Sequence, residues 1–382
     1  MNEASEVLVL GGGLAGAAAA ITLARAGRRV LLAERDPGPK HKVCGEFLSA
    51  EALQLLGQLG VDVGALGAVP VRRVRLCSRR SVSEGRLPFA AMSLTRRRLD
   101  AAMLAMAEEA GVRVRVGVAV NTLAKRDGHW HAGLSDGTEC TAEAAVLATG
   151  KHDLRGFKRP EGVQGGLVAL KMYWRLAPAQ ADALREHVEL LLYPGGYAGM
   201  QSVEDDAANF SGLIERRLLA KLGGWEGYVR HVRATCPHAR ERLEGAAPLL
   251  DKPLAVSAIP YGFVRRKAVG ENLWAVGDQA AVIPSFTGDG MSIALYSGVR
   301  AAESVLRGES AEAFQRSLHG TLRPQVMRAT ALSLALVREP AKSLVVGAVR
   351  LWPGLMRGAA SATRLPGMVN ARLKVANGAE LG

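Results

Sequence analysis

Aromatic side chains are scarce in this chain of 382 residues, at 5%, and no apolar run approaches the ~18 residues of a membrane-spanning helix. Cysteine is scarcer still. Cys44, Cys77, Cys140 and Cys236 are scattered without a Cys-x-x-Cys pair or metal-ligand spacing. That excludes a disulfide framework and a zinc site, and it points to a reducing, cytoplasmic setting. No secretory leader is expected, because the first apolar stretch begins only at Val7 and Gly11-Gly12-Gly13 breaks it at once. No internal repeat or low-complexity segment is present. What remains is an ordinary folded composition, 48% hydrophobic and 22% charged, long enough for one large or two modest domains.

Acidic residues are in deficit, with 49 Lys and Arg against 36 Asp and Glu, a formal net charge of +13. The excess is dispersed in short runs such as Arg72-Arg73, Arg96-Arg97-Arg98 and Arg265-Arg266-Lys267, interrupted by acids and without interleaved aromatics. Such a pattern describes solvated faces and argues against a nucleic-acid partner. Residues 331–382 differ: Arg338, Lys342, Arg350, Arg357, Arg364, Arg372 and Lys374 face only Glu339 and Glu380, among apolar helical stretches ending near Trp352. Two expectations stand side by side. The segment lies peripherally on an anionic bilayer, which would put it at the inner membrane face, or it packs over a substrate cavity.

The amino-terminal segment has a strand–turn–helix–strand pattern. Glu6–Leu10 reads as a buried strand, Gly11-Gly12-Gly13-Leu14-Ala15-Gly16 as a tight turn, Ala17–Ala26 as a helix and Arg29–Ala33 as a second strand ending at Glu34. Gly11 permits the turn, Gly13 lets a pyrophosphate approach the backbone, and Gly16 lets helix and strand pack closely. The helix N-terminus offers free N–H groups to phosphate, and Glu34 suits a ribose diol. The unit therefore predicts FAD or NAD rather than NADP.

Two further constellations stand downstream. Leu273–Val276 reads as a strand whose exit, Gly277-Asp278, can hold a polyol hydroxyl, as a flavin's ribityl chain requires. Pro284 and Gly288-Asp289-Gly290 lead into a helix from Met291 to Leu306, whose positive end favours negative charge on a reduced flavin. Ser93–Ala110 contains Arg96-Arg97-Arg98-Leu99-Asp100 near the start of a helix, where an arginine can meet phosphate.

Together these three elements resemble the FAD signatures of the superfamily of aromatic-ring hydroxylases, flavin-dependent halogenases and geranylgeranyl reductases, in the expected order from residue 6 to about 306. The nearest likeness is to the geranylgeranyl-reductase-like branch, on Lys42-Val43-Cys44-Gly45-Glu46 after the first βαβ unit. The resemblance implies an α/β fold: a GR2-type, Rossmann-like FAD domain (1–160 and 255–310, with a substrate-domain insertion near 70–92), a second, antiparallel-sheet substrate domain (161–254) and a C-terminal helical region (311–382). It implies an FAD site of Gly11, Gly12, Gly13, Leu14, Ala15, Gly16, Glu34, Arg35, Cys44, Gly45, Arg96, Val120, Thr149, Gly150, Gly277, Asp278, Pro284, Gly288, Asp289, Gly290 and Met291, with the Cys44 segment beside the isoalloxazine ring. Two departures matter. The Asp-Gly motif of the hydroxylases is missing after the strand ending near Leu147, where Ala148-Thr149-Gly150 stands, so the electron donor is left as NADH, NADPH or a reductase partner. The halogenase pattern Trp-x-Trp-x-Ile-Pro is also missing, which argues against halogenation.

The middle of the chain reads as strands at 168–176, 188–193, 196–200 and 208–214, then helical segments over 218–236. Trp174, Tyr193, Met200 and Tyr261 are candidates for the wall of a pocket holding a lipophilic small molecule. Cys44 and Glu46 are the candidates for proton work, with His41 and His152 as further titratable neighbours. The first expectation for function is an FAD-dependent monooxygenase of an aromatic or polyketide-like molecule, acting through a C4a-hydroperoxyflavin. The alternatives are an FAD-dependent reductase of C=C bonds in an isoprenoid-like substrate and a non-catalytic flavin-binding module.

Overall fold

The computed structural model describes residues 2–339, 341–352 and 354–365. Of the basic tail, Arg372, Lys374 and Glu380 lie outside the described residues. The chain begins with β1 (Asn2–Leu10), α1 (Leu14–Arg25), β2 (Val30–Glu34), β3 (Phe47–Leu48) and α2 (Ala50–Gln58). It continues with β4 (Val69–Cys77), β5 (Val82–Ser93), α3 (Arg96–Glu109), β6 (Arg113–Val116), β7 (Val120–Arg126), β8 (His129–Leu134) and β9 (Glu139–Leu147). Then come β10 (Leu167–Arg175), α4 (Pro178–Leu184), β11 (His187–Tyr193), β12 (Gly196–Ser202), β13 (Ala208–Glu215), α5 (Arg216–Lys221), α6 (Trp225–Thr235) and α7 (Pro237–Arg242). The last elements are β14 (Ala247–Pro248), β15 (Leu254–Ser257), β16 (Leu273–Ala275), α8 (Gly290–Leu306), α9 (Ala311–Val337), α10 (Ala341–Leu351) and α11 (Gly354–Ala362).

A seven-stranded sheet is ordered β6-β2-β1-β9-β8-β7, with β16 added to the end of β9. β6, β2, β1, β9 and β16 run parallel, while β7–β8–β9 is antiparallel. The parallel strands are buried on both faces, which is why Val7–Leu10 and Leu31–Ala33 are continuous apolar runs without alternation. α1 is alanine-rich because it is squeezed between this sheet and α8. Ala17, Ala18, Ala19 and Ala20 are fully buried, and a Cβ on Gly298 of α8 would lie 2.2 Å from the Ala15 carbonyl oxygen.

The second sheet has nine strands in the order β14-β10-β13-β12-β11-β4-β5-β3, with β15 on β10. Residues 69–93 therefore leave the first unit to complete the second sheet. The sheet is not antiparallel throughout, as expected above: β11 pairs β4 in parallel, because these strands come from segments over 100 residues apart rather than from a hairpin. One face packs Leu170, Met172, Trp174, Tyr193 and Phe210 against α6 and α7. The other places Leu167, Ala169, Tyr197 and Leu213 against the first unit and the end of α9. α9 carries Pro324 in its interior, and α10 and α11 fold back so that α11 lies against β5.

Candidate functional site

A cavity of about 680 Å³ opens between the two sheets. Its floor is the amino-terminal turn, Gly13, Leu14 and Ala15, with Gly277, Asp278, Gly288, Gly290 and Met291 from the loops around β16 and α8. Its side is the segment Val43–Phe47 with Arg96 and Lys151. Its upper wall is apolar, built from Leu76, Leu190, Tyr197, Leu213, Tyr261, Leu336 and Phe286, and α10–α11 roof it with Val345, Val349, Leu355 and Met356.

The floor has the features an adenine dinucleotide needs. Helix α1 starts after Gly13 with no side-chain cap, so its first N–H groups are left for a ligand. A Cβ on Gly16 would stand 1.9 Å from the Gly11 carbonyl oxygen, so only glycine allows this approach, and Gly11 itself has φ +111°. Glu34, at the end of β2, accepts from the Gly12 N–H at 2.6 Å and the Asp36 N–H at 2.9 Å, which fixes its carboxylate beside the turn. Arg96, on the first turn of α3, is held by Asp100 at 2.8 Å, and Lys42 reaches the same carboxylate at 2.7 Å. The Asp278 carbonyl accepts from Arg159 at 3.0 Å, and Gly277 N–H donates to Ser297 of α8 at 2.8 Å, so the loop after β16 is anchored from both sides.

Glu46 sits at the middle of the side wall. It is fully buried and carries φ +59°, a left-handed backbone unusual for a residue with a Cβ. Its Oε1 accepts from Arg96 N–H at 2.8 Å and from the Tyr173 hydroxyl at 2.7 Å, and Lys171 Nζ lies 2.8 Å away. Its Oε2 has no hydrogen-bond partner. Burial pushes the Glu46 carboxyl up, against the pull of Lys171, and the same burial pushes the Lys171 ammonium down. The neighbouring backbone is pinned by the second sheet: Lys171 donates to the Cys44 carbonyl at 3.1 Å, Asn209 to the Gly45 carbonyl at 2.7 Å, and Lys151 to the Val43 carbonyl.

The structure gathers Gly13, Leu14, Ala15, Cys44, Gly45, Glu46, Arg96, Gly150, Tyr261, Gly277, Asp278, Gly288, Gly290 and Met291 on the cavity wall. Gly11, Gly12, Gly16, Glu34 and Pro284 lie just behind it. Thr149 spends its hydroxyl on the His152 carbonyl at 2.7 Å, and Asp289 faces Arg364 at 2.7 Å behind the loop. Arg35 is half-exposed beside Asp36, and Val120 opens β7 two residues after Val118, whose N–H donates to the Glu34 carbonyl at 2.9 Å, so both stand by the Glu34 end of the turn and off the cavity lining. Other expectations need correction. His152 is exposed. Trp174, Tyr193 and Met200 lie on the wrong face of the second sheet. Trp174 stacks on Trp225, Tyr193 bonds Tyr228 at 2.5 Å, and all three pack under α6–α7. Strand alternation sends their neighbours Lys171, Tyr173 and Tyr197 to the functional side instead, and an unpaired strand does not reveal which parity faces the ligand. The roof residues of α10–α11 were foreseen only as a covering helix, without positions.

Residues 4–147 match a family described as "FAD binding domain". Over 324 residues the chain is 28% identical to menaquinone reductase of Mycobacterium tuberculosis, covering 79% of this chain and 77% of that protein. In fold it is similar to a variant of PqsL from Pseudomonas aeruginosa (TM-score 0.74, 18% identity, 89% of this chain and 98% of that one). It is likewise similar to the flavin-dependent brominase Bmp2 (TM-score 0.75, 19% identity, 94% of this chain and 93% of that one).

Proposed function

We propose, from the premise that this chain is an FAD-dependent oxidoreductase, that it reduces a C=C bond in an isoprenoid-bearing or similarly lipophilic small molecule. The observation that carries this reading is the apolar upper wall of the cavity, continuous with the glycine floor and closed by α10–α11. Such a wall holds a water-poor lipophilic group and offers few charges to a polar one. The menaquinone reductase similarity over most of the chain and the lack of an Asp-Gly motif after β9 support reduction over the monooxygenation expected first from sequence.

In this proposal Gly13–Ala15 and the N-terminus of α1 would hold the FAD pyrophosphate, Glu34 the adenosine ribose and Asp278 the ribityl chain, and Cys44-Gly45 would border the ring. Bound there, the flavin supplies hydride chemistry. The chain's own residues orient it, exclude water and hold a proton at Glu46. Cys44 stands beside Glu46 on the same wall, its Sγ accepting from the Glu46 N–H at 3.3 Å. NADH, NADPH or a reductase partner charges the flavin. Monooxygenation is the second reading, favoured by the same enclosure, which would shield an oxygen adduct from water. The substrate would enter from a membrane surface, against which the exposed Leu344 on α10 and the exposed Leu351 and Trp352 at the corner of α10 and α11 would lie.

Anaerobic turnover separates the two readings. Reduced protein that removes unsaturation from an isoprenoid quinone without oxygen supports reduction. Turnover that needs oxygen and yields a hydroxylated product overturns it. Asp278→Ala, which removes one charged hydrogen bond of about 1.5–3 kcal/mol, should weaken flavin retention roughly ten- to a hundredfold and leave folding intact. A variant that keeps its full yellow complement on dilution would remove Asp278 from the site.

A further inference from the structure

The polar chain behind the cavity wall has a direction. Tyr173 donates its hydroxyl hydrogen to Glu46 Oε1 at 2.7 Å, so the contact between Tyr173 oxygen and His41 Nδ1, at 3.1 Å, has the imidazole as donor. Three donors already crowd Oε1, so a proton on Glu46 sits on Oε2, the oxygen without a partner. Tyr173 is buried, whereas His41 is half-buried and reaches solvent. Lys171, the other proton-bearing group on Glu46, is fully buried and cannot exchange with water directly.

We infer that His41, Tyr173 and Glu46 form a proton relay that connects solvent to the cavity wall. This inference rests on the reading of the cavity as the reaction site and assigns the route by which its proton is replaced. Glu46 Oε2–H gives its proton to an acceptor in the cavity. Tyr173 passes its hydroxyl hydrogen to Oε1, His41 Nδ1–H replaces it, and water reprotonates the imidazole at Nε2; rotation of the Glu46 carboxyl then brings the proton to the Oε2 position, and exchange with water returns the imidazole proton to Nδ1. One proton enters for each that leaves, and no electron moves. The groups that set the balance are Lys171, Tyr173 and the Arg96 N–H around Glu46, and Arg97, Lys171 and Glu204 around His41. Burial and the two cations push the His41 imidazole down, which keeps it neutral and able to donate from Nδ1 near neutral pH. Glu46 is the candidate catalytic residue; Tyr173 and His41 act through it.

A pH jump on the yellow protein, followed in the infrared at the C=O stretch of a neutral carboxylic acid, reads the relay without turnover. Glu46→Gln identifies the band. In Tyr173→Phe the band should reach its new amplitude at least tenfold more slowly than in wild type, with the flavin spectrum unchanged. His41→Gln, a change near the surface, should slow it similarly and keeps the test open if the tyrosine variant fails to fold. Re-equilibration at the wild-type rate in either folded variant, or the absence of a neutral Glu46 band at every pH, overturns the relay. A slowed band in a protein that reduces no lipophilic substrate leaves the relay standing and removes the reductase reading.

Discussion

Whenever Glu46 has given up its proton, it forms an ion pair with Lys171, 2.8 Å apart and with no exposure on either side chain. Removing one member leaves the other buried and uncompensated, which costs about 3–5 kcal/mol, whereas removing both relieves the desolvation of each. Lys171→Met should therefore lower the denaturation free energy by about that amount, and Lys171→Met combined with Glu46→Gln by clearly less. Urea titrations of the three variants check the ordering, and equal losses in the single and double variants would refute it. Another buried carboxyl, Asp289, is pushed up by burial. Asp289 and Glu51 share the Arg364 guanidinium, at 2.7 and 3.8 Å, and burial raises the Asp289 carboxyl to about 7 despite that cation. Its folded value exceeds the ordinary carboxylate value near 4, so its stabilising share is full below about pH 4 and is lost as pH rises toward 7. Asp289→Asn should flatten that part of a thermal-unfolding profile; an unchanged slope would show that the carboxyl ionises normally. Glu46 was legible from its place after Lys42-Val43-Cys44-Gly45. Lys171 and Tyr173 were not, because the contact spans over 120 residues and depends on which face of β10 turns inward.

At the scale of elements, the glycine turn, the strand at 273–275 and the helix beginning at Gly290 were readable because each carries a local signal: continuous apolar strands, glycines at backbone approaches, a helix start. The position of β16 against β9 was not, because parallel pairing with Ala145–Leu147 leaves no mark in either segment alone. Gly298 is a clear omission. Nothing near Ser297-Gly298-Val299 announces a turn or a ligand, yet this glycine sets the distance between α8 and α1. Gly298→Ala would place a Cβ 2.2 Å from the Ala15 carbonyl oxygen, with backbone on both sides and no flexible side chain to yield. The helices must separate, at a cost of about 1–3 kcal/mol or more by overpacking. Because Ala15 belongs to the cavity floor, that shift should also loosen FAD. Thermal unfolding and flavin dissociation should change together in this variant, and a stable variant with wild-type flavin retention would place the α1–α8 contact outside the cofactor site.

Over the whole molecule, the carboxyl-terminal helices meet one of the two expectations for the basic tail, the covering of the cavity, while the membrane contact stands as a proposal. α10 and α11 cover the cavity through Val349 and Met356, yet Leu344 in the first turn of α10 is 74% exposed, and Leu351 and Trp352 at the corner between the two helices are 71% and 67% exposed. Leu355 belongs to both surfaces, lining the cavity and remaining 46% exposed, so the apolar exterior is continuous with the apolar interior. Arg350 and Arg357 are exposed on the two helices that meet at that corner, and Arg338 is exposed at the end of α9. No helix among the described residues is long and apolar enough to cross a membrane. In the membrane contact proposed above, the arginines would stand at the headgroups with the leucines and tryptophan below them. Wild-type protein should co-sediment with phosphatidylglycerol-containing vesicles, less so as salt rises. Leu351→Ser with Trp352→Ser should weaken that binding by about tenfold or more, since each exposed side chain would otherwise bury apolar area worth up to about 1.5–3 kcal/mol. The same variant should keep wild-type turnover on a short, water-soluble quinone, because neither residue lines the cavity. Loss of turnover on the soluble substrate would make this corner part of the roof, and undiminished vesicle binding would move the membrane contact elsewhere.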